Sequence, residues 1–477
     1  MSPLRTRRSS TRKERNRKMD ETPLAEIASM CGAKLLREAL GVTVSHISKD
    51  TRTLRPGDLY IGLRGDHFDG NAFAVQAIEK GAAAVLLDSP AEAERLSGSV
   101  PVLLAENSLT ALTKLAAAWR AKLNLKVLGI TGSSGKTSTK EFAAAVLGSK
   151  FKVVKTQGNL NNHIGLPLSI LAANSSNTAA VWEIGMNHPG EIAPLAALAQ
   201  PNCAIITNIG TAHIEYMKNR DAIALEKGML AEAVPAEGSV ILPAEDDKTE
   251  SIAARCRAKV VLTGINNGNL TATEIMPTQI GMSFRVIVHA GEQTTSAQAS
   301  IAVQGLHMVQ NALMAIAAGL EFGVPLEAAV KALAHTELAS GRLERRIHKG
   351  VVFLDDTYNA NPDSMEAALS TLRFMPSTGR RIAVLGKMGE LGEYATEGYS
   401  RTGCAAAKYA DVLVTVGSEA CQISEAARGA GLSRIHEVED TSAAARILDQ
   451  LARSGDLVLV KGSRSARMET LFQKLQS

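Results

Sequence analysis

One segment limits what this chain can fold into more than any other. Thr131-Gly132-Ser133-Ser134-Gly135-Lys136-Thr137-Ser138 follows the short apolar run Lys126–Ile130 and leads into a helix-like stretch from Lys136. Strand, glycine turn and helix, in that order, predict a backbone cradle whose N–H groups face phosphate oxygens. The helix N-terminus adds partial positive charge. Lys136 would neutralise the β- and γ-phosphates, and Thr137 would ligate Mg2+. The strict form of such a loop has glycine five residues before Gly135, and Ile130 stands there instead.

The chain has 477 residues, too many for one hydrophobic core, so several domains are expected. Leu59–Ile61 and Ala83–Leu87 read as short strands, with a helix over Phe73–Lys80 between them. A helix over Leu109–Leu123 leads into the strand before the glycine turn. Ala179–Ile184, Ala204–Asn208, Val240–Pro243 and Val260–Thr263 read as buried strands with helical stretches between several of them. That alternation predicts a mostly parallel sheet. Leu270–Val303, rich in Thr, Val and Ile, reads as an antiparallel flap, and a helix over Asn311–Phe322 closes the region. Val351–Leu354, Ile382–Leu385, Val412–Val416 and Leu457–Val460 alternate with helices as a second, Rossmann-like unit. The fold class is therefore α/β in three domains. These are a small mixed α/β domain (20–106), a central P-loop ATPase-type domain with a mostly parallel sheet (107–336) and a C-terminal Rossmann-like domain (337–477). They follow a basic tail (1–19).

Two strand ends add chemistry. Ala179-Ala180-Val181-Trp182-Glu183 ends in a carboxylate, and Asn208-Ile209-Gly210-Thr211-Ala212-His213 follows the next strand. Ligands of open α/β sheets bind at the carboxyl ends of strands, so Glu183 and His213 are candidate metal ligands. Each, taken singly, is also what a solvated rim residue looks like.

Charge and cysteine usage exclude other classes. Eight basic residues and one acid give residues 1–18 a charge of +7, which leaves the other 459 residues at −3 of the net +4. A weakly acidic body gives no case for a nucleic-acid substrate, and the tail has no apolar core of a secretory signal. It reads as solvated, or as preceding a true start at Met19. The five cysteines are scattered with no CxxC pair, which fits a reducing cytoplasm. No apolar run is long enough to span a membrane.

These pieces, in this order, resemble the Mur ligase family, whose loop has the variant form Thr-Gly-x-x-Gly-Lys-Thr. Four segments carry the likeness: Gly158–Pro167 (GNLNNHIGLP), Glu183–Ile192 (EIGMNHPGEI), Asp355–Met365 (DDTYNANPDSM) and Lys461–Ser465 (KGSRS). They point to the branch that adds D-Ala-D-Ala. The resemblance implies a UDP-substrate domain, a central ATPase domain and a C-terminal domain that closes over ATP. ATP would phosphorylate the terminal carboxylate of UDP-MurNAc-tripeptide, and the amine of D-Ala-D-Ala would attack the acyl phosphate. It implies two Mg2+ ions held by Thr137, Glu183, His213 and Lys227, the last as a carbamate. The nucleotide would be met by Gly132 through Ser138, Asn311, Arg342, Asp356, Tyr358 and Asn359. The UDP substrate would be met by Thr51, Arg52, Asp69, Gly70, Asn161 and His163. A cytoplasmic monomer without nucleic-acid or membrane partners is expected. Read alone, Lys227 is a helix-surface lysine, Arg342 a surface arginine and Asn-Ala-Asn-Pro a turn.

Three positions depart from the family pattern. Lys387 stands in Leu385-Gly386-Lys387-Met388 where Asp is usual, Asn71 where His is common, and Met308 where Asn is common. The alternatives are a sister ligase adding another residue, a non-catalytic nucleotide-binding scaffold, and an RNA-associated NTPase using the tail. The first lacks its Asp-Asn-Pro-Arg-like run. The second would need a lost catalytic group, and none is missing.

Overall fold

The computed structural model describes residues 18–291 and 293–475, so the reading of the tail lies outside the described residues save for its last two. The chain divides into two compact units. The first comprises residues up to 129 with Phe151–Ile184 and Pro194–Pro201. The second comprises Ile130–Lys150, Gly185–Ala193 and the residues from Asn202 onward.

The first unit holds a five-stranded sheet of β1 (Lys34–Leu35), β2 (Ile47–Ser48), β3 (Leu59–Ile61), β4 (Ala84–Leu87) and β5 (Val102–Leu104). Their order is β1-β5-β4-β3-β2. β2, β3, β4 and β5 pair in parallel. β3 and β4 are buried along their whole length, which is why they read as continuous apolar runs instead of alternating ones.

A nine-stranded sheet follows. Its strands are β6 (Lys126–Thr131), β7 (Val153–Lys155), β8 (Ala179–Glu183), β9 (Cys203–Ile206), β10 (Ser239–Pro243), β11 (Lys259–Gly264), β12 (Leu270–Pro277), β13 (Met282–Ala290) and β14 (Gln293–Ile301). The order is β7-β8-β6-β9-β10-β11-β12-β13-β14, and the boundary between the units falls within β6. β9 through β12 pair in parallel, while β12, β13 and β14 form an antiparallel meander. The Leu270–Val303 segment is thus antiparallel, as expected, but it extends the central sheet. Asn269 makes this possible: its N–H donates to the Leu262 carbonyl at 2.7 Å and its side chain accepts from the Leu262 N–H at 2.8 Å. That pins the short link between two parallel strands.

Three helices carry site residues here: α1 (Lys136–Gly148), α2 (Arg220–Glu232) and α3 (Leu306–Glu321). α3 starts five residues before the expected Asn311, directly after Gly305 at φ 113°. Its Ala312–Gly319 run is fully buried, so an alanine-rich stretch that looks featureless in sequence is a helix enclosed on all sides.

The C-terminal sheet has six strands, β15 (Glu344–His348), β16 (Val351–Asp356), β17 (Arg381–Gly386), β18 (Val412–Val416), β19 (Ile435–Val438) and β20 (Leu457–Lys461). Their order is β15-β16-β20-β17-β18-β19. All pairings are parallel except the β15–β16 hairpin, which gives the expected Rossmann-like unit. β15 and β19 were not legible: each is a part-exposed edge strand with charged residues, formed because a neighbour offers a ladder and not because its own pattern demands it. Helix α4 (Pro362–Phe374) follows β16. Loops after β16, β20 and β17 leave neighbouring strand ends, where this fold type binds ligands. Among the described residues, no helix is long and apolar enough to cross a membrane.

Candidate active site

The glycine turn is built as its sequence requires. Gly132 has φ 146° and Gly135 φ 81°, values that side chains other than glycine rarely adopt. A Cβ on Gly132 would collide with the Thr207 side chain, and one on Gly135 would lie 2.8 Å from the Asn311 carboxamide. The loop leans on the segment after β9. Ser133 N–H donates to the Asn208 carbonyl (3.0 Å), Ser134 N–H to Asn208 Oδ1 (3.0 Å), and Gly210 N–H to Ser133 Oγ (2.9 Å). Lys136 Nζ donates to the Gly132 carbonyl at 2.7 Å, which keeps the ammonium curled over the cradle.

Several sequence-predicted residues of the second unit meet around this loop. Arg342 Nη2 donates to Thr137 Oγ1 at 2.9 Å, and its guanidinium stacks 4.1 Å from the centre of the Tyr358 ring. Asn311 is buried against Gly135. Asp356, at the end of β16, accepts from the Leu343 N–H (3.2 Å) and pairs with buried Lys461 (2.6 Å). Lys461 also donates to the Asn359 carbonyl at 2.9 Å. So Asp356 and Asn359 are held by a common cation and the loop between them is fixed.

Lys227 corrects the surface-lysine reading. It lies on α2 and is only 1% exposed. Burial drives its pKa well below the usual lysine range, the charge of Lys136 pushes the same way, and Glu226 opposes both. The amine is therefore disposed to be neutral and nucleophilic. His213 follows β9 with its Nδ1 2.5 Å from Glu390 Oε2. Burial lowers its pKa, Glu390 raises it, and Lys136 and Lys227 lower it further.

The first unit carries the remaining predicted residues. Glu183 ends β8, is 2% exposed and accepts from Asn161 Nδ2 at 2.8 Å; its own N–H donates to Thr156 Oγ1 at 3.0 Å. His163 is exposed nearby in sequence but shares none of these contacts. Arg52 is exposed and pairs with Asp50 at 2.7 Å; that hydrogen-bonded pair holds the Asp50 pKa at about 2. Thr51 is buried and bonds Gln76. Asp69 accepts from the Asn71 N–H (2.9 Å), and the Gly70 carbonyl accepts from Tyr60 (2.9 Å). Both thereby brace a turn. A cavity of about 380 Å3 is lined by Ser48, Lys49, Asp50 and Arg55 and by Lys155 and Gln157.

Sequence comparison decides what kind of protein carries this loop. Residues 130–319 match the Mur ligase middle domain, 341–464 the Mur ligase glutamate ligase domain, and 43–120 the Mur ligase family catalytic domain. The UDP-N-acetylmuramoyl-tripeptide–D-alanyl-D-alanine ligase of Bacillus subtilis is 35% identical over 468 residues, covering 96% of this chain and 99% of the relative. The chain belongs to the Mur ligase family. Within it, it is of the MurF type. The enzyme of the same name from Escherichia coli is 33% identical over 464 residues, with 96% and 99% covered. The crystal structure of MurF from Acinetobacter baumannii superposes with a TM-score of 0.86 at 31% identity, covering 96% of this chain and 99% of that one. The MurF ligase from Thermotoga maritima in complex with ADP gives 0.78 at 27%, with 90% and 97% covered.

The three departures from the Mur ligase pattern have local explanations. Asn71 is buried, donates to Asp69 (2.6 Å) and Asp88 (2.8 Å), and accepts from the Asp88 N–H (3.1 Å). It ties its own turn to the segment after β4. Met308 supplies a sulfur 3.8 Å from Asn311 Nδ2. Lys387 pairs with Glu419 at 3.1 Å, so the reversed charge has a partner of its own.

Four residues that matter here were passed over in the sequence. Asp363 accepts from both the N–H and hydroxyl of Thr211 (2.6 and 2.7 Å), and Asn361 reaches Ser134 Oγ at 3.2 Å while capping α4. Asp363, Asn361 and Lys461 lie within segments that signalled the family, so the signal was there without a role attached. Glu390 carried none.

Proposed function

We propose that this Mur ligase joins D-Ala-D-Ala to UDP-MurNAc-tripeptide with hydrolysis of ATP to ADP and phosphate, giving UDP-MurNAc-pentapeptide for peptidoglycan precursor synthesis. One observation carries the reading. A glycine-cradled loop with Lys136 and Thr137 shares its unit with a fully buried lysine of depressed pKa, in a chain similar over nearly its whole length to ligases of this name.

The residue types answer the chemistry. A carboxylate is a poor electrophile, so its oxygen first attacks the γ-phosphorus and ADP leaves. The neutral amine of D-Ala-D-Ala then attacks the acyl carbon, and the tetrahedral intermediate expels phosphate as the amide forms. Both steps depend on holding reactants in line and on offsetting phosphate charge. Lys136 supplies charge at the β/γ-phosphates, and Arg342, held by Tyr358, supplies it from the C-terminal domain. Asn311 would contact the adenine, and Asp356, Tyr358 and Asn359 would face the nucleotide.

The donor set suits Mg2+. Among the described residues no three His, Cys, Asp or Glu side chains form a ready metal cage. Mg2+ commonly keeps waters and shares phosphate oxygens, taking only one or two protein groups. Thr137 and Glu183 would hold one ion. His213 and carbamylated Lys227 would hold a second, the neutral amine having added to CO2 with loss of a proton. Bound Mg2+ neutralises phosphate charge and aligns the oxygens. For the UDP substrate, Thr51, Arg52, Asp69 and Gly70 shape the N-terminal loops, and Asn161 and His163 face the peptide. Three domains (20–106, 107–336, 337–477) would divide these tasks in a cytoplasmic monomer.

Phosphate release from ATP and Mg2+ is the test, with UDP-MurNAc-tripeptide containing lysine or diaminopimelate, with and without D-Ala-D-Ala. Release that requires both substrates, with a pentapeptide product by mass, is the expected result. No release with either peptide would overturn the reading.

A further inference from the structure

Glu390 lies within electrostatic reach of Lys136, and the segment that carries His213 is built around it. Nδ1 of His213 lies 2.5 Å from Glu390 Oε2, and the Glu390 carbonyl accepts from the Glu215 N–H at 3.2 Å. Both His213 (φ 63°) and Glu390 (φ 58°) have left-handed backbones, a conformation that residues with side chains keep only when their surroundings impose it. The same loop is gripped a second time two residues earlier, where Thr211 donates twice to Asp363. Asp363 in turn is paired with Arg401 at 3.2 Å. At its other end the loop is tied to the glycine turn through Asn208 and Gly210. The C-terminal domain thus holds the His213 loop in place by two carboxylates.

An imidazole has two nitrogens, and in the neutral ring one carries the proton while the other offers a lone pair. A carboxylate charge this close to Nδ1 favours the Nδ1–H form and leaves the Nε2 lone pair free for a ligand. We propose that Glu390 is a positioning residue that fixes the tautomer and orientation of His213, so that Nε2 is presented to the divalent cation accompanying the nucleotide only when the C-terminal domain is docked. The proposal rests on His213 being a metal ligand. Glu390 itself touches neither metal nor substrate.

The test uses the full chain labelled with 15N-histidine, free of metal and nucleotide, with the His213 ring signal assigned through His213→Gln. Wild type should show the Nδ1–H form. Glu390→Ala should move His213 toward the Nε2–H form, whereas Glu390→Gln, whose carbonyl can still accept, should retain Nδ1–H. Mn2+ affinity in the presence of ADP, read by electron paramagnetic resonance, should weaken about tenfold in Glu390→Ala and a few-fold in Glu390→Gln. An unchanged tautomer in Glu390→Ala, or unchanged Mn2+ affinity in both variants, overturns the proposal. If Glu390→Ala does not fold, the affinity of Glu390→Gln decides alone. Equal Mn2+ affinity in wild type and His213→Gln would sink the metal-ligand reading, and the proposal with it. A change in His213→Gln without one in the Glu390 variants sinks only the proposal.

Discussion

Arg342 and Thr137 are 205 residues apart in the chain, and the guanidinium of the first donates to the hydroxyl of the second at 2.9 Å. The arginine comes from the segment just before β15, and the threonine from the first turn of the helix after the glycine loop. The stack on Tyr358 fixes the guanidinium plane, so the charge arrives at the phosphate cradle already oriented.

Arg342→Ala should therefore lower kcat/KM by about a hundredfold or more, the scale of losing one preorganised charge partner at a reacting phosphate. Arg342→Lys should recover little, since an ammonium neither stacks nor forks. Steady-state phosphate release checks both. An effect under about threefold in the alanine variant would remove Arg342 from the nucleotide site.

Lys227 sets activity against stability. Its folded-state pKa lies well below that of the unfolded chain. Between the lowered folded value and the unfolded value of about 10.4, the unfolded chain therefore carries a proton that the folded one lacks, and folding is penalised until pH rises toward the unfolded value. Lys227→Met should raise the Tm in CO2-depleted buffer while abolishing ligation. Lys227→Ala should regain some turnover with added formate or acetate. A lower Tm for Lys227→Met would contradict the depressed pKa.

His307 supplies a pH dependence. Burial depresses its pKa to about 4, with Asp356 raising it and Lys461 lowering it. The unfolded imidazole titrates near 6.5. As pH falls from about 6.5 toward 4, the unfolded chain gains a proton that the folded chain refuses, so stability is lost through that window. Above it the contribution is constant. His307→Gln should flatten the fall in urea midpoint between about pH 7 and about pH 4.5. A slope equal to wild type would show that other groups govern it.

The reversed charge at Lys387 should depend on Glu419. Lys387→Asp sets two carboxylates against each other where a 3.1 Å pair now stands. Because both side chains are part-exposed, the loss in kcat/KM should be only a few-fold. Adding Glu419→Lys should restore it. A double-mutant cycle reads this directly, and additive losses would mean the pair does not shape the loop.

Much of the molecule was legible without coordinates. Lys126–Thr131, Ala179–Glu183 and Leu457–Lys461 are strands buried along nearly all of their length. Interior parallel strands leave short continuous apolar runs, which their β-branched residues and flanking turns mark as strands. The glycine turn was legible because Gly132 and Gly135 occupy backbone conformations and close approaches that only glycine tolerates. Edge strands such as Glu344–His348 were not, because half of such a strand faces solvent and its pairing depends on a partner.

The sequence by itself determined the phosphate loop, the α/β class, the family and the list of reactive side chains, since these rest on local spacing and on residue types that chemistry cannot exchange. Only the tertiary structure decided how those side chains behave. Lys227 is an ordinary helical lysine until packing removes its water and lowers its pKa. His213 is one rim histidine among ten histidines until Glu390, 177 positions later, takes up its Nδ1. Burial and long-range pairing are properties of the folded chain, and no local pattern encodes them.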